Sequence, residues 1–224
     1  MSQHLASVET GGDGLLDATR ATVLDFGLRR TTLSEVAKRA GVSRMTVYRR
    51  HPDGAGLIRA LMHREFGAVL TRALNDVSDS GTVGERLVAA CVRTVELLVS
   101  HPLLLRLLEV DPELLLPYIT GAPGRFQEEA RATLHEAIAS GQADGSVRAG
   151  DPELLAATAE TAVRGLVLAA RSMDAAQREA GLGELELLLA GYLLTGGGRG
   201  DEPRAVGGPE GHAPGAPGRP VVPA

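Results

Sequence analysis

Between Thr31 and Pro52 the chain reads TTLSEVAKRAGVSRMTVYRRHP, and the polar side chains of this stretch are of the types that hold nucleic acid. Arg44 can donate two parallel hydrogen bonds to guanine O6 and N7, and Met45 or Thr46 can meet a thymine methyl. Thr32, Tyr48 and Arg49 carry donors suited to phosphate oxygens. No acid occurs from Val36 to Pro52. A solvated protein face ordinarily mixes charge signs, so an unmixed cationic one points to a polyanionic partner.

These side chains need two short helices to place them. Thr32 followed by Glu35 is a capping-box start. Leu33, Val36, Ala37 and Ala40 recur at helical spacing, and Gly41 supplies the positive φ that ends the turn. Ser43 is placed to cap a second helix. Its inner face is expected to be Val42, Val47 and the ring of Tyr48, leaving Arg44, Met45, Thr46, Arg49 and Arg50 outward. An ordinary helical hairpin would share this spacing. Small Ala37 at the crossing and the one-signed outer face favour a helix-turn-helix over residues 32–51 instead, whose second helix enters a major groove by its N-terminal end.

The pieces Thr31-Thr32, Val36-Ala37, Ala40-Gly41-Val42-Ser43, Thr46-Val47-Tyr48 and Pro52 resemble the DNA-binding motif of the tetracycline-repressor (TetR) family of bacterial transcription regulators. The close resemblance covers about residues 13–60; beyond it the chain matches in helix number and layout. The resemblance implies a homodimer through the last two long helices and a ligand cavity among helices from about 57 to 140. Two positions depart from the pattern: His51 stands where an aromatic residue is usual, and Gly54 where a Lys commonly reaches a phosphate.

Composition sets limits. A chain of 224 residues, 44% hydrophobic, can bury one or two cores. With 3% aromatics and no Trp, those cores must be built of Leu, Val and Ala. Few stretches alternate, so the fold class expected is all-α: a three-helix DNA-binding head and a larger helical body, about nine to ten helices in all. The net charge is −5, yet from Arg20 to Arg59 nine bases face three acids. That stretch is therefore +6 and the remainder −11, a basic head on an acidic body, which suits local phosphate binding without general stickiness.

Enzymatic signatures are absent. There is no Gly-rich phosphate loop after a strand, no G-x-S-x-G and no H-E-x-x-H, so no catalytic residue is assigned. His63, His101 and His135 are scattered singly, and neither a metal nor a cofactor is expected. Cys91 lies within an apolar helical pattern and reads as a small buried hydrophobe. No basic-then-apolar leader opens the chain, and no apolar run approaches the roughly 20 residues of a membrane span, so a cytoplasmic location is expected.

Along the chain, residues 1–12 read as a loose tail ending in Gly11-Gly12, and 13–53 as the head. Residues 54–195 read as a ligand-binding and dimerisation body and 196–224, with 15 Gly or Pro in 29 residues, as a disordered tail. A long helix from about 54 to 78 joins head to body, and further helices are expected at about 82–100, 103–109, 111–117, 124–140, 151–172 and 182–195. On the last two, Leu155, Ala159, Ala162, Val163, Leu166 and Ala170 share one face, and Leu185, Leu188, Leu189 and Tyr192 another. Either they are core or they form the dimer implied by the resemblance. The expected cavity lining is Met62, Phe66, Cys91, Leu104, Leu108 and Phe126, suited to an apolar or amphipathic small molecule.

The reading is a ligand-responsive regulator, a repressor on a double-stranded operator, acting through Thr32, Ser43, Arg44, Met45, Thr46, Tyr48 and Arg49. A rival is a helical small-molecule-binding protein whose head has lost DNA, which Gly54 keeps open. A helical enzyme is more remote.

Overall fold

The computed structural model describes residues 2–110 and 125–196, with side chains from Asp13 onward. Among the described residues it holds nine α-helices: α1 (Ser2–Phe26), α2 (Leu33–Arg39), α3 (Arg44–Arg50), α4 (Gly54–Asp76), α5 (Val83–Val99), α6 (Pro102–Val110), α7 (Arg125–Ala143), α8 (Pro152–Ala169) and α9 (Ala175–Leu193). A short 3-10 turn, Ala170–Ser172, follows α8. A single antiparallel bridge, Val147 to Leu194, is the only β pairing among them, so the all-α expectation holds. The helix expected at 111–117 and the tail beyond Gly196 lie outside the described residues.

Helix starts follow side-chain caps. Asp53 accepts from Gly56 N at 2.5 Å and opens α4. Thr82 and Glu85 cap α5 reciprocally, and Asp151 with Pro152 opens α8. Two boundaries depart from expectation. Helix α1 continues back through Gly12 and Gly11 to Ser2 rather than starting at Asp13, because extending a helix that is already nucleated adds one hydrogen bond per residue fixed. Helix α9 starts at Ala175 rather than 182, since Asp174 and Gln177 form a capping box that outweighs the glycines at 181 and 183.

Two apolar cores result. The smaller gathers Leu15 and Ala18 of α1, Val36 and Ala37 of α2, Val47 of α3 and Leu57 of α4. The larger draws on α4 to α9, with Leu61, Val95, Leu103, Leu107, Ile138 and Leu189 all fully buried. Val23, in the same helix as Leu15, packs into the larger core, and Leu16 touches both. Helices α1 and α4 thus each run through both cores. Polar ties reinforce the seam: Arg20 of α1 donates to Glu65 of α4 at 2.7 Å, and Arg64 reaches Asp17 at 2.8 Å.

Candidate nucleic-acid interface and ligand cavity

The helix-turn-helix is built by local backbone chemistry. Thr32 Oγ1 accepts from Glu35 N at 3.2 Å and starts α2. At the other end Gly41, at φ +66°, donates to Lys38 O, and Val42 N donates to Ala37 O at 3.0 Å. This pair of bonds is the Schellman closure, which needs a left-handed residue where Gly41 stands. Ser43 Oγ then accepts from Thr46 N at 3.1 Å and starts α3. Ala37 is 2% exposed and Val47 is fully buried, so the helices cross on a methyl and an isopropyl group.

Opposite that contact, α3 faces solvent. Met45 is 75% exposed, and Arg44 and Arg49 are exposed beside it. Tyr48 is also exposed, which corrects the expected inner face: on a two-turn helix Val47 alone points inward, and both Val42 and the Tyr48 ring are left out. Four of the expected contact residues already have partners within the motif. Thr32 and Ser43 serve as caps, and the Thr46 hydroxyl lies 2.9 Å from Ser43 Oγ. Arg44 donates to Ser34 Oγ on α2, which holds its guanidinium across the front of the motif. His51 closes α3; its partial burial, with Arg50 adding to the effect, holds its pKa below the ordinary histidine value and keeps the ring neutral at pH 7.

The body contains a cavity of about 470 Å3 bounded by α4, α5, α7 and α8. Cys91 and Phe126 line it as expected; Leu70, Leu87, Leu134 and Val163 do so too. Burial pushes the Cys91 thiol up to about 12, so it stays protonated. Leu104 and Leu108 do not reach the cavity: α6 packs both into the larger core. Met62 and Phe66 face a neighbouring cleft of about 540 Å3 instead, because they lie nearer the head on α4 than the cavity-lining Leu70 and Leu74. The polar residues of the cavity wall include Asp79, Arg86, Thr94, Thr133, Arg164 and Glu160, whose carboxylate accepts from Arg131 at 2.9 Å and from Arg164. Sequence patterning missed this group, since an acid in mid-helix reads as a solvated residue.

The expected dimer faces need correction. Leu155, Ala159, Leu185 and Leu189 are buried in the protein's own core, and Val163, Leu166 and Tyr192 are half-buried against it. Of the expected set Leu188 alone is exposed, at 55%. The outward side of α8 carries Leu154, Thr158, Thr161 and Gly165, at helical spacing, and that of α9 carries Ala180, Glu184, Leu187, Leu188 and Gly191. Both threonine hydroxyls fold back onto their own helix, to Leu154 O and Ala157 O. Among the described residues, nothing beyond the helix's own backbone comes within 4 Å of where a Cβ would stand at Gly165, Gly183 or Gly191.

Residues 15–61 match the family model described as bacterial regulatory proteins, tetR family. An HTH-type transcriptional regulator of Mycobacterium bovis is 34% identical over 186 residues, spanning 83% of this chain and 95% of that protein. Among solved structures, the regulator FadR of Bacillus subtilis in complex with stearoyl-CoA superposes with a TM-score of 0.61 at 18% identity, over 79% of this chain and 96% of that one. A transcriptional regulator of Saccharomonospora viridis in complex with choline does so with a TM-score of 0.60 at 16% identity, over 84% and 99%. A helix-turn-helix with a one-signed outer face, mounted on an all-helical body and matched by relatives along most of its length, has one source: the chain belongs to the tetR family of bacterial regulatory proteins and is a DNA-binding transcriptional regulator.

Proposed function

We propose that the protein is a repressor that grips a double-stranded operator as a homodimer and lets go when a small molecule fills the cavity between α4, α5, α7 and α8. What carries the DNA part is the outer face of α3: exposed Arg44, Met45 and Arg49 on a capped helix in a stretch without acids. In this reading Arg44 reads a guanine and Met45 a thymine methyl, while Thr32, Tyr48 and Arg49 hold phosphates; Ser43 and Thr46 set the helix N-terminus against the groove. Residues 13–53 form the head and 54–195 the body, and the protein works in the cytoplasm.

Dimerisation is assigned to the outward side of α8 and α9. Glycine costs about 1 kcal/mol against alanine in a helix interior. Among the described residues no side chain approaches Gly165, Gly183 or Gly191, and close contact with a second copy gives them a role. The effector part rests on the cavity itself. Two regulators of the same fold hold stearoyl-CoA and choline, molecules of very different chemistry, so this chain's own wall must select.

The test is selection of genomic fragments with the purified protein, followed by a mobility-shift assay on those enriched. Arg44→Ala is expected to abolish the specific shift while circular dichroism stays that of the parent. Enrichment of no fragment, or an unchanged shift with the variant, refutes the assignment.

A further inference from the structure

The cavity is long. Along α5 its lining runs from Val83 to Leu98, about 22 Å at 1.5 Å per residue. Much of its wall is aliphatic, with Leu70, Leu87, Leu98, Leu134 and Val167 along it.

Its two ends differ in charge. At the α4–α5 loop the mouth is lined by Asp79 and Arg86, which cancel. At the other end stands Phe126, whose ring also walls the neighbouring cleft. That cleft has an apolar floor of Leu16, Met62 and Phe66 and a rim of Arg59, Arg64 and Arg125, with Asp13 as the one lining acid among the described residues. Arg64 is committed to Asp17 and Glu65, which leaves Arg59 and Arg125 as the less engaged pair among the described residues. Arg125 bonds Glu129 through Nε, and Arg59 comes no closer than 4.0 Å to Asp53. A guanidinium has five N–H donors in a fork that matches carboxylate and phosphate oxygens. Glu129, which also meets His63 at 2.8 Å, holds the α7 side of the rim in place.

We propose that cavity and cleft are two halves of one site for an amphiphile with an anionic head: the alkyl chain lies along α5, passes Phe126, and its carboxylate or phosphate sits between Arg59 and Arg125. This rests on the effector-site reading above and adds the ligand's class and orientation. It also places the head group where it touches α1, α4 and α7 together, and so reaches the DNA-binding head directly.

The experiment uses the full chain and three dodecyl probes below their micelle concentrations: dodecyl phosphate, dodecanol and dodecyltrimethylammonium, with affinity read by calorimetry. Dodecyl phosphate should bind at least about tenfold more tightly than the other two. The double variant Arg59→Glu, Arg125→Glu should weaken dodecyl phosphate by about tenfold or more and leave dodecanol within about twofold. Inorganic phosphate alone should bind at least about a hundredfold more weakly than dodecyl phosphate, since it lacks the chain. Equal binding of all three dodecyl probes, or a double variant that binds the phosphate as well as the parent does, overturns the head-group site while the cavity reading stands. Binding of none of them overturns both.

Discussion

Gly41 and His101 show how single residues set limits on this protein. Gly41 sits at φ +66° with open space where a Cβ would go, so Gly41→Ala meets only the backbone cost of the left-handed region, about 1–2 kcal/mol. Melting should fall by about 2–8 °C, and DNA binding should weaken because the angle between α2 and α3 loosens. A melting point within a degree of the parent would mean the turn tolerates the side chain. His101 stands at the joint of α5 and α6, edge-on to Phe66 at 5.6 Å. Burial holds its pKa below the ordinary value against the pull of Glu65, 3.8 Å away, and Arg20 adds to the lowering. The unfolded chain therefore takes up this proton first. The ring's stabilising share is complete above about pH 6.5 and is lost as pH falls from there through the lower folded value. His51 acts in the same direction. Melting temperature should drop between about pH 7 and 5, and His101→Phe should flatten part of that slope; a slope identical to the parent's would exclude His101 as a contributor.

At the scale of elements, α8 and α9 carry the dimer prediction. Leu154→Glu with Leu187→Glu places charge on exposed positions of the outward face, so the protomer should stay folded while the dimer opens, at a cost of several kcal/mol if both charges are buried in it. Sedimentation should show monomer, and the operator shift should be lost. A dimer that survives would move the interface elsewhere. The same helices show what sequence could and could not tell. The caps at Thr32, Ser43, Asp53, Thr82 and Asp151 were legible because each depends on residues within three positions. So was the helix-turn-helix, where local bonds and a small core agree. Which side of α9 faces inward was not legible: Leu185 and Leu189 alternate with Leu187 and Leu188, and a helix apolar all round gives no direction until its neighbours are placed. The Glu160 cluster was hidden for a related reason, since its Arg131 partner is 29 residues away.

Over the whole molecule, Glu65 is the polar hub between head and body. It is 11% exposed and accepts from Arg20 and Arg64 while facing His101. Glu65→Ala leaves two guanidinium groups short of their acceptor, at a cost of about 2 kcal/mol and a fall of about 4–8 °C in melting. Operator affinity should also lose its dependence on any cavity ligand. A variant whose response to ligand is intact would show that coupling travels through the apolar seam alone. For the dimer to meet successive major grooves its two α3 helices must stand about 34–36 Å apart. Changing affinity a hundredfold by shifting that span requires about 2.7 kcal/mol of ligand preference between the two spacings.

The passage of α1 and α4 through both cores bears on anyone who would transplant this head to give another regulator a new operator. A graft joined between α3 and α4, where the domains divide in sequence, parts Leu57 from the five residues it packs with and leaves Val23 facing a foreign body. Such a chimera should express poorly and bind dyes that report exposed apolar surface. A join moved past Arg59, carrying Leu57 along and rebuilding the surroundings of Val23 in the recipient, should fold. In this protein the unit that can be exchanged is larger than the unit that touches DNA.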